Sequence, residues 1–140
     1  MPTAVVYIAG PLFDRAQRWY NTRLAHVVQE AGFETYLPQA DAGEVDLTVV
    51  DNRADVFVRN IKALRAAAFV VANLNGPVVD EGTAWECGYA WGLGKKVLGV
   101  REAERPAMGT LSVNLMLERS VHLFGGPEAL RNFLSEPFAF

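Results

Sequence analysis

Two carboxylates, Asp80 and Glu86, flank a Gly-Thr-Ala segment that reads as the start of a helix. An acid at a helix start feels the positive end of the dipole and stays ionised at neutral pH. A fixed, ionised carboxylate is what attack on a sugar carbon requires. The same residues support a second reading. Thr83-Ala84-Trp85-Glu86 has the spacing of a capping box, in which Glu86 only ties back to the backbone of residue 83. Gly82 and Gly88 leave little side chain around Glu86, as a site that admits a ligand needs. With its carboxylate at a helix start, Glu86 is expected to have a pKa at or below that of a free glutamate.

Other polar residues carry plainer readings. Tyr7 sits in a strand-like run, where a tyrosine is usually core with a satisfied hydroxyl. Asn73 and Asn75 read as turn residues, Asn114 as a helix cap, and His26 and His122 as ordinary, partly buried histidines. Cys87 follows Glu86 but points about 100° away around the helix, so it reads as a small buried hydrophobe. Gly92-Leu93-Gly94-Lys95-Lys96 resembles the end of a phosphate loop but stands after a helix and before a strand, the wrong order. There is no G-x-G-x-x-G, G-x-S-x-G or H-E-x-x-H, which argues against a nicotinamide cofactor, a serine triad and a zinc hydrolase. No cofactor and no metal is implied.

The elements that must position these residues follow from the apolar pattern. Residues 4–9 (AVVYIA) read as a buried strand, 14–31 as a helix with Trp19, Leu24, Val27 and Ala31 on one face, and 34–37 as a short strand. Residues 38–48 read as a loop. A helix over 51–68 buries Phe57, Ile61, Leu64 and Ala68. Strands at 69–74 and 96–100 enclose a helix over 83–93. A loop with Pro106 and Gly109 leads to 114–117, a last strand near 121–124 and a helix over 127–134. This alternation predicts a single-domain α/β fold over residues 1–140, a parallel sheet with helices on both faces. Ligands then bind beyond the carboxyl ends of the strands, at loops 10–14, 38–48, 75–82 and 101–114.

Composition bounds the class of function. The 140 residues are 51% apolar and 21% charged, ordinary for a globular chain. A chain of this size buries about 68% of its unfolded surface and needs no staple. The net charge of −3 argues against nucleic acid. A single cysteine excludes a disulfide framework. No apolar run approaches the roughly 20 residues of a membrane helix, and Met-Pro-Thr-Ala leads into a strand with no secretory signal. A cytoplasmic location is the expectation.

The sequence resembles the nucleoside 2-deoxyribosyltransferases. The resemblance rests on VYIAGPLF at 6–13, LPQ at 37–39, FVRNIKALRAA running into FVVANLNGP, DEGTAWECGYA at 80–90 and VNLML at 113–117, in family order over most of the chain. It implies a flavodoxin-like α/β fold. It implies that Glu86 is the nucleophile, that Tyr7 holds its carboxylate, and that Asp80 helps bind the nucleoside. Gly10, Phe13, Gln39 and Gly82 fall in segments that line the pocket. Asn114, with Met116 beside it, matches the segment that reaches a neighbouring subunit's site, so a homo-oligomer with shared sites is implied. Two positions depart from the pattern. Asn60 stands where many relatives carry an aspartate that assists protonation of the base, and an amide cannot supply an acid proton. Ala68-Phe69 replaces the usual Ala-Asp.

The implied reaction is a retaining exchange of nucleobases on a 2′-deoxyriboside, with deoxyribonucleosides and free bases as partners. Glu86 attacks C1′, the base leaves, and a second base attacks the same carbon. Purines, whose ring nitrogens protonate readily, are the expected substrates. Two alternatives stand beside it: a hydrolase of deoxynucleoside 5′-monophosphates, and a non-catalytic nucleotide-binding or partner-binding module in which Glu86 is only a cap.

Overall fold

Strand β1 (Val5–Ala9) lies inside the sheet rather than at an edge, because Val6, Tyr7, Ile8 and Ala9 are buried on both faces. Such near-continuous apolar runs belong to parallel strands covered by helices on each side. The chain is described here by a computed structural model covering residues 2–41, 46–102 and 113–140. After β1 come α1 (Arg15–Glu30), β2 (Glu34–Tyr36), α2 (Pro38–Asp41), α3 (Val50–Ala66), β3 (Phe69–Asn73) and α4 (Glu81–Gly92). β4 (Val97–Val100), α5 (Leu115–Ser120), β5 (His122–Phe124) and α6 (Pro127–Leu134) complete the order. The predicted loop around Pro106 and Gly109 and part of loop 38–48 lie outside the described residues.

The sheet has the order β2-β1-β3-β4-β5, and every pairing is parallel. This is the flavodoxin-like order expected from the sequence. The chain leaves β1 for one edge and returns past it to β3, so the loops after β1 and β3 diverge and open a crevice. One apolar cluster joins Val6, Ile8, Phe69 and Val71 to α1 and α6. The other joins Tyr7, Ala9, Val70 and Ala72 to Leu64 of α3, Cys87 and Ala90 of α4 and Leu117 of α5.

Local signals set the helix ends. Asp14 caps α1 through a bond from Gln17 N (2.8 Å), and Gln17 returns the bond to the backbone of residue 14. Gly32 leaves α1 at φ 97°, a conformation that favours glycine. The buried face of α1 is Tyr20, Asn21, Leu24, Ala25, Val27 and Val28. It lies beside the predicted stripe: Trp19 is 60% exposed, with the Arg23 guanidinium over its ring. The predicted face of α3 is also only partly covered, since Leu64 is buried and Phe57 is exposed. Residues 38–41, read as loop, form one helical turn begun by Pro38, a residue suited to a first helical position.

Phe69, in the Ala-Phe departure, is fully buried at the start of β3. Its ring meets Phe33 edge-on at 5.1 Å and packs on Phe138 and Phe140. The residues 137–140 tail thereby closes the amino end of the sheet, away from the crevice. Phe69→Ala removes the centre of this cluster and is expected to cost about 3–5 kcal/mol, measured by urea unfolding followed by far-ultraviolet circular dichroism. A loss under about 1 kcal/mol would show that the cluster is not holding that end together.

Candidate active site

The carboxyl ends of β1 and β2, one face of α3 and the start of α4 surround a cavity of about 510 Å³. Its wall includes Gly10, Leu12, Phe13, Arg18, Pro38, Gln39, Leu47, Val56, Asn60, Asp80, Gly82 and Glu86. A second lobe of about 410 Å³ shares Asn60, Gly82 and Glu86 and is otherwise apolar, with Phe57, Ile61, Leu64 and Trp85. Glu86 thus stands where the two lobes meet. Of the ten residues singled out from the sequence, Gly10, Phe13, Gln39, Asn60, Asp80, Gly82 and Glu86 line this space, and Tyr7 lies directly behind Glu86.

Helix α4 begins earlier than the capping-box reading requires. Asp80 is the N-cap, and its Oδ2 accepts from both the N–H and the hydroxyl of Thr83 (2.9 Å each). Thr83 is therefore inside the helix and buried. Glu86 lies in the second turn, where no orphan N–H remains for it to cap. Its carboxylate instead accepts a hydrogen bond from the Tyr7 hydroxyl. Gly82 faces the cavity close to Asp80, where a Cβ would come within 3.3 Å of Oδ2.

The electrostatics correct the sequence expectation for Glu86. Burial pushes its pKa up from 4.5 to about 7, the nearby Asp80 charge adds to the rise, and the Tyr7 hydrogen bond opposes it. The expected lowering is missing because the helix dipole acts within the first turn and Glu86 lies beyond it. Tyr7 is itself driven well above the usual phenol range, first by burial and then by the Glu86 charge, so it stays a donor.

Two aromatic residues extend the arrangement. Tyr36 stacks on Tyr7 with ring centroids 5.5 Å apart, and its hydroxyl donates to Asn60 Oδ1 (3.1 Å). Sequence reading missed Tyr36; its signal was a second tyrosine at the end of a strand beside Pro38. It also missed Arg18, whose Nη1 donates to Leu12 O (3.0 Å) along the cavity wall, and the buried Asn21. Asn73 is not a turn residue but a buried member of β3. His26 and His122 are exposed rather than partly buried, and His122 stacks on Phe124 at the sheet edge. Cys87 is buried, as expected.

Asn114 and Met116 do not join Glu86 within the chain. Asn114 caps α5 through a bond from Met116 N (2.9 Å). Both line a separate groove between α4 and α5, with Ala84, Gly88 and Trp91, and Met116 is 72% exposed.

The parallel α/β fold carries, at its switch point, a partly buried carboxylate held by a phenol, and the comparisons place it in an enzyme class of the glycosyl-transfer and N-glycosidase type. The chain belongs to the nucleoside 2-deoxyribosyltransferase family, whose profile matches residues 6–130. Among solved structures it is similar to the 2-deoxyribosyltransferase of the psychrotolerant bacterium Bacillus psychrosaccharolyticus. That likeness has 25% identity and a TM-score of 0.78, over 96% of this chain and 99% of that one. The fold is shared with a 2-deoxyribosyltransferase from Leishmania mexicana (24% identity, TM-score 0.75, 96% and 99% covered). It is shared more loosely with a CMP N-glycosidase from Clostridium botulinum (17% identity, TM-score 0.57, 94% and 99% covered). A search of curated protein sequences gave no match. Among the described residues, no helix is long and apolar enough to cross a membrane.

The raised Glu86 pKa has a stability sign. The folded chain holds this proton to about pH 7 while the unfolded chain releases it near 4.5. The associated stability is present below 4.5 and is lost as pH rises through 7. Above that, wild type carries a penalty on the order of 3 kcal/mol, at about 1.36 kcal/mol per pKa unit. Glu86→Gln stays neutral and can still accept from Tyr7. It is expected to melt several degrees above wild type at pH 8 and close to it at pH 4.5, in scanning calorimetry. A variant less stable than wild type at pH 8 would contradict the buried, strained carboxylate.

Proposed function

We propose that this chain transfers the 2-deoxyribosyl group between nucleobases by a retaining double displacement, with residues 1–140 working as one catalytic domain. The observation that carries the reading is the Glu86 carboxylate itself, released from capping by Asp80 and pinned by Tyr7 at the junction of two cavity lobes. With Oε2 held by the phenol, the other oxygen attacks C1′. The C1′–N bond breaks, the base leaves with the bonding pair, and an ester joins the sugar to Glu86. An incoming base then attacks C1′ opposite Glu86, on the face that the first base left, and displaces the carboxylate, so two inversions retain the configuration. Asp80 has one oxygen spent on Thr83 and the other available to sugar hydroxyls. The apolar walls of Phe13, Pro38, Leu47 and Val56 suit the planar base. Asn60 gives its oxygen to Tyr36 and offers N–H groups to a ligand, but no acid proton. The proton for the leaving base comes from water, which favours purines, whose ring nitrogens protonate readily.

An exchange assay with deoxyinosine and adenine, resolved by chromatography over time, separates the readings. Deoxyadenosine formation supports transfer; release of hypoxanthine alone marks a hydrolase; silence marks a binding module. The hydrolase reading draws on Arg18 in the cavity wall, a cation suited to a 5′-phosphate, and its test is cleavage of deoxynucleoside monophosphates. Deoxyadenosine should exceed adenosine by about one to two decades in kcat/KM, since a buried, unpartnered 2′-hydroxyl costs roughly 1–3 kcal/mol.

The pH profile tests the nucleophile. Attack needs the carboxylate, so kcat/KM is expected to rise with pH and level off above about 7. Tyr7→Phe removes the one interaction that lowers the Glu86 pKa, so its acid limb should move to higher pH. An unchanged limb in that variant would remove Tyr7 from this role.

Oligomerisation is part of the proposal. Asn114 and Met116 line a groove distinct from the Glu86 cavity, so any part they play at Glu86 comes from another copy. Trp91, Leu115 and Met116 are exposed beside them, apolar surface that a subunit contact would bury. Mixing inactive Glu86→Ala with inactive Asn114→Ala is expected to restore part of the activity. A fully active monomer in sedimentation would sink the shared site.

A further inference from the structure

Asn21 is a polar residue only 2% exposed in the middle of α1. Its side chain is one link of an amide relay that runs from the end of β3 to the cavity wall. The relay has a direction, because its start is a backbone N–H that can only donate. Asn75 N–H donates to Asn73 Oδ1 (3.1 Å), which turns Asn73 Nδ2 toward Asn21 Oδ1 (2.9 Å). That orients Asn21 Nδ2 to donate to Pro11 O (2.8 Å) and to Gln39 Oε1 (3.1 Å). The Pro11 carbonyl can only accept, so it enforces the same orientation from the other side. Gln39 Nε2 then donates to Arg18 O (2.9 Å) and to Thr22 Oγ1 (3.1 Å), both on α1. Thr22 is free to accept there because its own proton goes to Arg18 O (3.0 Å). Gly10 has no room for a side chain beside this relay: a Cβ would overlap the Asn21 carboxamide.

We propose that Asn21 is a positioning residue that fixes the polarity Gln39 presents to the ligand. With Nε2 turned onto α1 and Oε1 taking the Asn21 bond, Gln39 offers the cavity the second lone pair of Oε1. A base that reaches Gln39 must therefore bring an N–H there. This rests on the nucleoside reading of the cavity, in which the apolar side walled by Phe13 and Pro38 takes the base.

The test compares adenine, 2-aminopurine and unsubstituted purine as acceptor bases, in wild type and in Asn21→Asp. The aspartate can still accept from Asn73 but can no longer donate to Pro11 or Gln39, so the Gln39 amide is released to turn. In wild type, at least one amino base should surpass purine by about tenfold in kcat/KM, the size of one hydrogen bond to a buried group. In Asn21→Asp that ratio should fall below about threefold, through KM for the amino base, with purine little changed. A KM increase shared equally by all three bases would show a merely structural role and overturn the proposal. So would a wild type that does not prefer an amino base. Should Asn21→Asp fail to fold, Thr22→Val removes one of the acceptors that hold Gln39, and the ratio should shrink there too; an unchanged ratio overturns the proposal. The Gln39 side-chain N–H pair in heteronuclear NMR supplies a readout without turnover. Slow solvent exchange in wild type, lost in the variant, supports the relay, and fast exchange in wild type overturns it. A wild type that neither binds nor exchanges any base defeats the nucleoside reading instead, and the NMR result then decides the positioning role alone.

Discussion

Glu86 is an acid held away from water with a phenol as its hydrogen-bond partner, and much of the molecule is arranged around that pair. Its ionisation is opposed by burial and by Asp80, and helped by Tyr7. A lone carboxylate in such a place would move off or stay protonated. Tyr7 can hold it only from a strand buried on both faces, which keeps β1 inside the sheet, between β2 and β3. Glu86 can meet Tyr7 only from the second turn of a helix that starts at Asp80. The Asp80 cap is thus doubly used. It sets the register of α4 and leaves one oxygen facing the crevice.

In the proposed reaction, the cost of holding the carboxylate falls where the attack occurs. A group whose charged form is destabilised gains more from attacking a cationic carbon than one already satisfied by solvent. Tyr7 offsets part of the destabilisation and fixes which oxygen is free. Tyr36, stacked on Tyr7 and bonded to Asn60, ties that geometry to the wall where a base would lie. Glu86 and Asn60 are therefore held by neighbouring rings on the adjacent strands β1 and β2, not by independent loops.

The strands were legible because AVVYIA and FVVANL are short apolar runs that only a doubly covered sheet can hide. The candidate site was legible as a set of residues, since Gly10, Phe13, Gln39, Asp80 and Gly82 follow strands whose carboxyl ends such a sheet brings to one side. What misled were offsets of a few residues. Asp80 and Thr83 are both good N-caps, and choosing the later one made Glu86 look like a capping partner and gave its pKa the wrong direction. Trp19 counted as apolar, yet its ring lies outward beneath Arg23, so the buried stripe of α1 fell beside it. Asn21 gave no signal, because a mid-helix asparagine is indistinguishable in sequence from a solvated one until the strand ends that hold it are in place.

The three tryptophans have an optical consequence. Trp19, Trp85 and Trp91 are each at least half exposed in a single folded chain, so in a monomer their emission reports a largely aqueous setting and changes little on unfolding, whereas a subunit contact over Trp91 would alter one of the three. Trp85 differs in one respect. It lines the lobe beside Glu86, stacked on Tyr89 at 5.2 Å and tilted against Phe57. Intrinsic fluorescence from this chain is therefore a poor thermometer of folding and a direct gauge of occupancy, with one indole of three placed to be quenched when an aromatic ligand enters the crevice.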